Sequence, residues 1–216
     1  NPGISSRNKI MIKPIDFVKA LNKTKIRFVT GIPDSLLKEV CGCIDKRFGK
    51  NKHIIATNEG SAVALSIGHY LATKSPALVY MQNSGLGNSF NPIVSLADPK
   101  VYGIPIILMI GWRGEIAGYG KQIHDEPQHK KQGLITISQL KTVGIPFRII
   151  NNRTKKIKII LKDLKNLAIK RKGPVAIIVR KKTFSSFMIS KKSKDKNYIS
   201  REQAIKEIIK KLPKNL

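Results

Sequence analysis

Acidic side chains are scarce in this sequence: 13 aspartates and glutamates stand against 41 lysines and arginines, a formal net charge of +28 at pH 7. Cysteine is scarcer still. Cys41 and Cys43 lie two apart, on different sides of any helix, so by themselves they suit neither a disulfide nor a metal site. That usage points to a reducing compartment, and a cytoplasmic location is expected. No apolar run approaches the length of a membrane span, and the first residues lack a signal peptide's apolar stretch. Nor is there a start methionine at Asn1, so processing or fragmentation of a longer chain is expected. Aromatic residues are only 6% of the chain and do not interleave with the lysines in a stacking pattern. Residues 1–150 carry 20 Lys/Arg and 9 Asp/Glu, whereas residues 151–216 carry 21 and 4. Lysine drift on solvated helix faces is therefore preferred over a nucleic-acid footprint as the meaning of this excess.

What is present is a regular alternation. Six short strand-like runs, IRFVT, HIIAT, PALVYM, PIILMIG, FRII and PVAIIVR, are separated by helix-like segments. The pattern predicts an α/β fold with a doubly wound, mostly parallel six-stranded sheet flanked by helices, over residues 1–182. Pro33 suits a first helical turn in GIPDSLLKEVCGCIDKRF, and TISQLKTVG is expected to open a helix after a long loop at 112–129. Residues 183–198 read as a polar linker, and 199–216 as one amphipathic helix that cannot bury its apolar face alone.

Polar loops follow several of the apolar runs, where open α/β sheets bind ligands. Glu59 comes directly after HIIAT and opens a helix rich in small residues; its ordinary reading is a first-turn acid favouring the helix dipole. NSGLGNSFN at 83–91 offers main chain with few side chains, so a ligand can approach closely. The 112–129 loop combines Arg113, a planar donor for anions, with His124 and His129 flanking Asp125 and Glu126. A zinc reading of the two histidines fits no known spacing, and no metal ligands are assigned.

GIPDSLL, TNEGSAVAL, YMQNSGLGN, NPIVSLADP, IGWRGE and DEPQHKKQG follow one another in an order that resembles the pyrimidine-binding domain of the thiamine diphosphate-dependent decarboxylases. Among these it is most similar to the phosphonopyruvate decarboxylases, with the sulfopyruvate decarboxylases as near kin, over roughly residues 12–182. The resemblance implies that Glu59 is the activating glutamate, whose carboxyl bonds the cofactor's aminopyrimidine and sets its tautomer. It implies that Asn83, Ser84 and Gly85 line the cofactor crevice, and that Pro33, Asp34 and Ser35 form a rim of the substrate site. Arg113, Asp125 and Glu126 would contribute to substrate binding, with His124 and His129 handling protons. The expected reaction is decarboxylation of 3-phosphonopyruvate to phosphonoacetaldehyde and CO2. Sulfopyruvate decarboxylation by an alpha-type subunit, or a non-catalytic basic binding module centred on 151–216, are the alternatives.

One departure is plain. The family holds the cofactor's diphosphate through Mg2+, using a GDG motif and a later Asn in a second domain, and no GDG occurs here. The resemblance therefore implies that the Mg2+ ligands lie in a missing diphosphate-binding half, supplied by a longer chain or a separate subunit. The helix at 199–216 would be the opening of that half. The expected partners are a 2-oxo acid bearing a phosphonate or sulfonate, and either a second copy or a diphosphate-binding subunit.

Overall fold

The computed structural model describes residues 11–117, 120–188 and 199–213. The chain runs α1 (Pro14–Lys23), β1 (Val29–Gly31), α2 (Lys38–Arg47), β2 (His53–Ile55), α3 (Glu59–Thr73) and β3 (Ala77–Gln82). A 3-10 turn (Asn83–Gly85), α4 (Leu86–Pro92) and a π-helical turn (Ile93–Ala97) lead to β4 (Ile106–Gly111). Then come α5 (Pro127–Thr142), β5 (Phe147–Ile150), α6 (Ile157–Arg171), β6 (Val175–Val179) and α7 (Arg201–Lys211).

All six strands pair in parallel, in the order β2-β1-β3-β4-β6-β5. Central strands β3, β4 and β6 are built from continuous apolar runs because both of their faces are covered. One face packs against α1, α2 and α6 through a core that includes Phe17, Leu21, Ile44, Tyr80 and Leu164. The other packs against α3, α4 and α5 through Val63, Ile67, Leu86, Ile110 and Leu140. From β1 the chain crosses to β2 on one side, then back over β1 to β3 on the other. Between β1 and β3 it therefore has a topological switch point, whose crevice opens at the carboxyl ends of the strands.

Three boundaries differ from the sequence expectations. The helix expected to open at Pro33 begins at Lys38. Asp34 is buried and its Oδ2 accepts from the Leu36 N–H at 3.2 Å, so a side-chain turn replaces the first helical turn. The helix expected at TISQLKTVG opens earlier, with Pro127 in its first turn, where a missing N–H costs nothing. The domain also continues past residue 182. Ile12 N–H donates to Thr183 O and Ser185 N–H to Ile12 O, both at 3.0 Å, and Phe184 meets the Phe17 ring edge-on at 5.4 Å. Phe187 N–H then donates to Glu39 Oε2 at 2.6 Å. Residues 189–198 of the expected linker lie outside the described residues. Helix α7 carries a complete Ser200–Gln203 capping box and buries none of its own residues.

Candidate active site

Glu59 occupies the first turn of α3, just past β2, with Asn58 capping the helix through a 2.8 Å bond from Ser61 N–H. Its side chain lies over the turn that follows β3. A Cβ added to Gly85 would come within 2.6 Å of Glu59 Oε1, so only glycine leaves room for the carboxyl at that point. Asn88 Nδ2 donates to Glu59 Oε2 at 2.9 Å. Glu59 is half-buried, and Oε1, beside Gly85, accepts no hydrogen bond among the described residues.

Asn83 is fully buried, and its side chain is a joint rather than a free lining group. Nδ2 donates to Arg113 O and to Thr136 Oγ1, each at 2.9 Å, and Oδ1 accepts from Arg113 N–H at 3.2 Å. One amide thus ties the turn after β3 to the loop after β4 and to α5. Ser84 Oγ accepts from Gln82 Nε2 at 2.7 Å.

The guanidinium of Arg113 makes a two-point pair with Asp125, Nε to Oδ2 at 3.0 Å and Nη2 to Oδ1 at 2.6 Å. Nη1 donates to Ser35 Oγ at 3.0 Å, and Glu126 Oε2 stands 3.9 Å from Nη2. Asp125 also accepts from the N–H groups of Gly114 (2.8 Å) and Glu126 (2.9 Å). The Arg113 pairing, with these backbone donors, holds the Asp125 carboxyl well below the usual carboxylate range. The fork that the sequence offered to a substrate anion is therefore already taken up by Asp125, and its remaining reach is toward Ser35.

Asp34 behaves in the opposite way. Burial pushes its carboxyl above the ordinary value, with the Arg113 charge pulling back, and Oδ1 has no hydrogen-bond partner among the described residues. It lines a cleft of about 400 Å³ with Pro33, Ser35, Cys41 and Tyr80. At the far wall, His53 Nε2 and Tyr80 OH are 2.9 Å apart, a buried pair that bridges β2 and β3 across β1.

The two histidines part company. His129, in the first turn of α5, is buried, with Nε2 at 3.6 Å from Glu126 Oε2. His124 is exposed and makes no hydrogen bond among the described residues. Trp112 packs into the core and its indole N–H donates to Gly133 O at 2.9 Å. Gly114, at φ +62°, sits so close to the His129 carbonyl that a side chain there would collide with it, which seats the loop on α5.

The structure therefore joins Glu59, Asn83–Gly85, Arg113, Asp125, Ser35 and Asp34 on one rim, at the switch-point crevice. Sequence reasoning missed Asn88 and Thr136. Asn88 lies inside the quoted NSGLGN segment, so its place one helical turn past Gly85 was a usable signal; Thr136 had none. Among the described residues no three His, Cys, Asp or Glu side chains converge in a way that fits a metal. The Gly85 cradle and the unpaired Glu59 oxygen fit an aminopyrimidine with a hydrogen-bond donor at one ring nitrogen.

Known proteins similar to this chain identify its family. Residues 16–135 match the thiamine pyrophosphate enzyme, N-terminal TPP binding domain. Sulfopyruvate decarboxylase subunit alpha of Methanococcus maripaludis is 37% identical over 164 residues, covering 74% of this chain and 90% of that protein. Phosphonopyruvate decarboxylase of Streptomyces viridochromogenes is 32% identical over 144 residues, 67% of this chain but 34% of its own length. The chain thus spans only about a third of that relative. In fold, it resembles benzoylformate decarboxylase from Polynucleobacter necessarius with a TM-score of 0.60 at 18% identity, covering 93% of this chain and 36% of that one. A Glu59 carboxyl on a glycine cradle at the switch point, together with these matches, leads to one conclusion: the chain belongs to the thiamine pyrophosphate enzymes and carries their N-terminal TPP binding domain.

Proposed function

We propose that this chain supplies the pyrimidine-binding half of a decarboxylase whose substrate is a 2-oxo acid bearing a phosphonate or sulfonate on C3. The observation that carries the reading is the Glu59 carboxyl, held by Asn88 over Gly85 with Oε1 accepting no hydrogen bond among the described residues. Thiamine diphosphate, when bound, supplies the electron sink for the pair left behind as CO2 departs. Glu59 holds a proton at the ring nitrogen of the aminopyrimidine, and Asn88 fixes the rotamer in which it does so. Ser35 and the free N–H of Arg113 Nη1 face the substrate's anionic oxygens, while Asp125 keeps the guanidinium plane in place. Asp34, whose carboxyl is pushed above its ordinary pKa by burial, and His129 are the groups on this rim suited to return a proton to the carbon that lost CO2. His124 would join them only if the loop closed over substrate.

The 37% identity to a sulfopyruvate decarboxylase alpha subunit supports sulfopyruvate as the substrate, with a diphosphate-binding subunit as partner. The WRG and DEPQH segments, by their resemblance, favour 3-phosphonopyruvate, with α7 as the first helix of the second half. The test is to reconstitute the chain with a diphosphate-binding partner, thiamine diphosphate and Mg2+, and to measure CO2 release from both substrates side by side. Release from one of them, nearly abolished by Glu59→Gln with the melting temperature unchanged, is the expected result. Substantial turnover by Glu59→Gln would remove Glu59 from its assigned role.

A further inference from the structure

Asp125 occupies the two-point face of the Arg113 guanidinium, yet the proposed substrate carries two anionic groups. The cleft beside Asp34 holds a cation that is far less committed. One wall of this cleft is a face of α2, with Lys38 in the first turn, Cys41 and Gly42 in the middle and Asp45 two turns on. Its two ends therefore differ in charge, about 10 Å apart along the helix axis. At the far end Asp45 stands 3.5 Å from His53 Nδ1. At the near end Lys38 meets the rim residues Pro33, Asp34 and Ser35.

The near end is short of acceptors. Among the described residues the one ion pair of Lys38 is a 3.6 Å contact with its neighbour Glu39, and 69% of the lysine side chain is exposed, so the pair is worth little. Glu39 Oε2 is itself engaged by the Phe187 N–H. Leu37, at the N-cap of α2, offers no side-chain acceptor to the first-turn N–H groups, and the positive end of the helix lies here. Ser35 Oγ accepts from Arg113 Nη1, which leaves its own O–H to donate. Asp34 is only 5% exposed, and its Oδ1 has no partner among the described residues.

We infer that Lys38, with Ser35 and the first turn of α2, forms the subsite for the tetrahedral oxyanion on C3 of the substrate, a phosphonate or a sulfonate. The inference rests on the proposed decarboxylation for the identity of that substrate. Of its two anions, the carboxylate leaves as uncharged CO2, so a cation gripping it would favour the ground state. The C3 oxyanion keeps its charge throughout, and a cation there holds substrate and transition state alike. A cleft of about 400 Å³ is within the usual size for a small-molecule site, roughly 300–1,000 Å³. Asp45 repels an anion from the far end, which fixes the direction of entry. Asp34, when protonated, can donate to the same oxyanion and so satisfy its unpartnered oxygen.

All of these residues belong to this chain, so binding can be measured without the other half of the enzyme. The probes are 3-phosphonopropionate and 3-sulfopropionate, which carry the oxyanion and the carboxylate but no keto carbon, titrated into the nitrogen-15-labelled chain. The amide signals of Ser35, Lys38 and Cys41 should move saturably, and the tighter of the two probes identifies the oxyanion. Lys38→Ala should weaken binding about tenfold or more, as loss of a charge-assisted contact requires, and Lys38→Arg should retain it. Lys46→Ala, an equal loss of charge in the last turn of the same helix, should bind as the parent does. Shifts spread over the lysine-rich surfaces, or equal weakening by Lys46→Ala, overturn the inference. In the reconstituted enzyme Lys38→Ala should raise KM and leave kcat near the parent's, whereas a lower kcat at unchanged KM also overturns it. A parent enzyme that turns over neither substrate, while the probes still bind at Lys38, counts against the decarboxylase reading and leaves the oxyanion site standing.

Discussion

Two aspartates on the same rim are pushed in opposite directions by their surroundings, and the consequences for stability have opposite signs. Asp125 receives hydrogen bonds from Arg113 and from two backbone N–H groups, so its folded pKa lies below its ordinary value of 3.8. Its stabilising contribution is fully present above that ordinary value and is lost as pH falls from there through the depressed folded value. Asp34 is buried with one oxygen unpartnered, and its folded pKa lies above 3.8. The unfolded chain gives up that proton first, so stability declines as pH rises from the ordinary value through the raised folded one. At neutral pH the Asp125→Asn variant should therefore be less stable than the parent. The Asp34→Asn variant should be as stable or more so, since Asn keeps the acceptor for Leu36 N–H without a buried charge. Urea midpoints of both variants at neutral pH and in acid well below pH 3.8 would decide this. A difference between parent and Asp125→Asn that persists undiminished in strong acid would show that the ion pair is not its source.

Between elements, the rim is assembled by buried polar joints rather than by packing. Asn83 binds the turn after β3 to the loop after β4 and to α5, over sequence separations of 30 and 53 residues. Replacing it with Ala leaves the Arg113 N–H and C=O without these partners inside the protein. A loss of roughly 2–3 kcal/mol is expected, read from the denaturant midpoint, since each stranded buried group costs about 1–3 kcal/mol. A midpoint within experimental error of the parent would mean that water replaces the amide at that junction. These joints also mark where the sequence stopped being legible. The central strands could be read because runs such as LVYM and IILMI are apolar on both faces, the edge strands β2 and β5 from short β-branched runs alone, and Glu59 because it is the first carboxylate past one of these. The start of α2 could not be read, since the Asp34 side chain competes with the helix for the Leu36 N–H and periodicity carries no trace of that. Arg113 was legible as a donor for anions but not as one already held by Asp125, a pairing made only when the loop folds back onto α5. Pro127 was a usable helix-start signal that the expected loop overrode, and it moved His129 from a loop into a buried first turn.

At the level of the whole molecule, 41 cations against 13 acids make electrostatic self-repulsion a standing cost of the folded state. Few contacts offset it: among the described residues the ion pairs are mostly local, and only Arg113–Asp125 and Arg180–Glu115 are substantially shielded from solvent. Salt screens the long-range repulsion between exposed lysines far more than it weakens a partly buried pair a few ångströms apart. Net stability should consequently rise with ionic strength, the reverse of what a surface held together by exposed salt bridges would show. A gain on the order of 1 kcal/mol between low and moderate salt corresponds to about 2–4 °C in Tm for a chain of this size. Association between copies would also grow with salt and raise Tm by mass action, so the two causes need separating. If repulsion within one chain is responsible, Tm climbs with added sodium chloride by the same amount at every protein concentration. A salt response that grows with protein concentration would move the effect to contacts between copies.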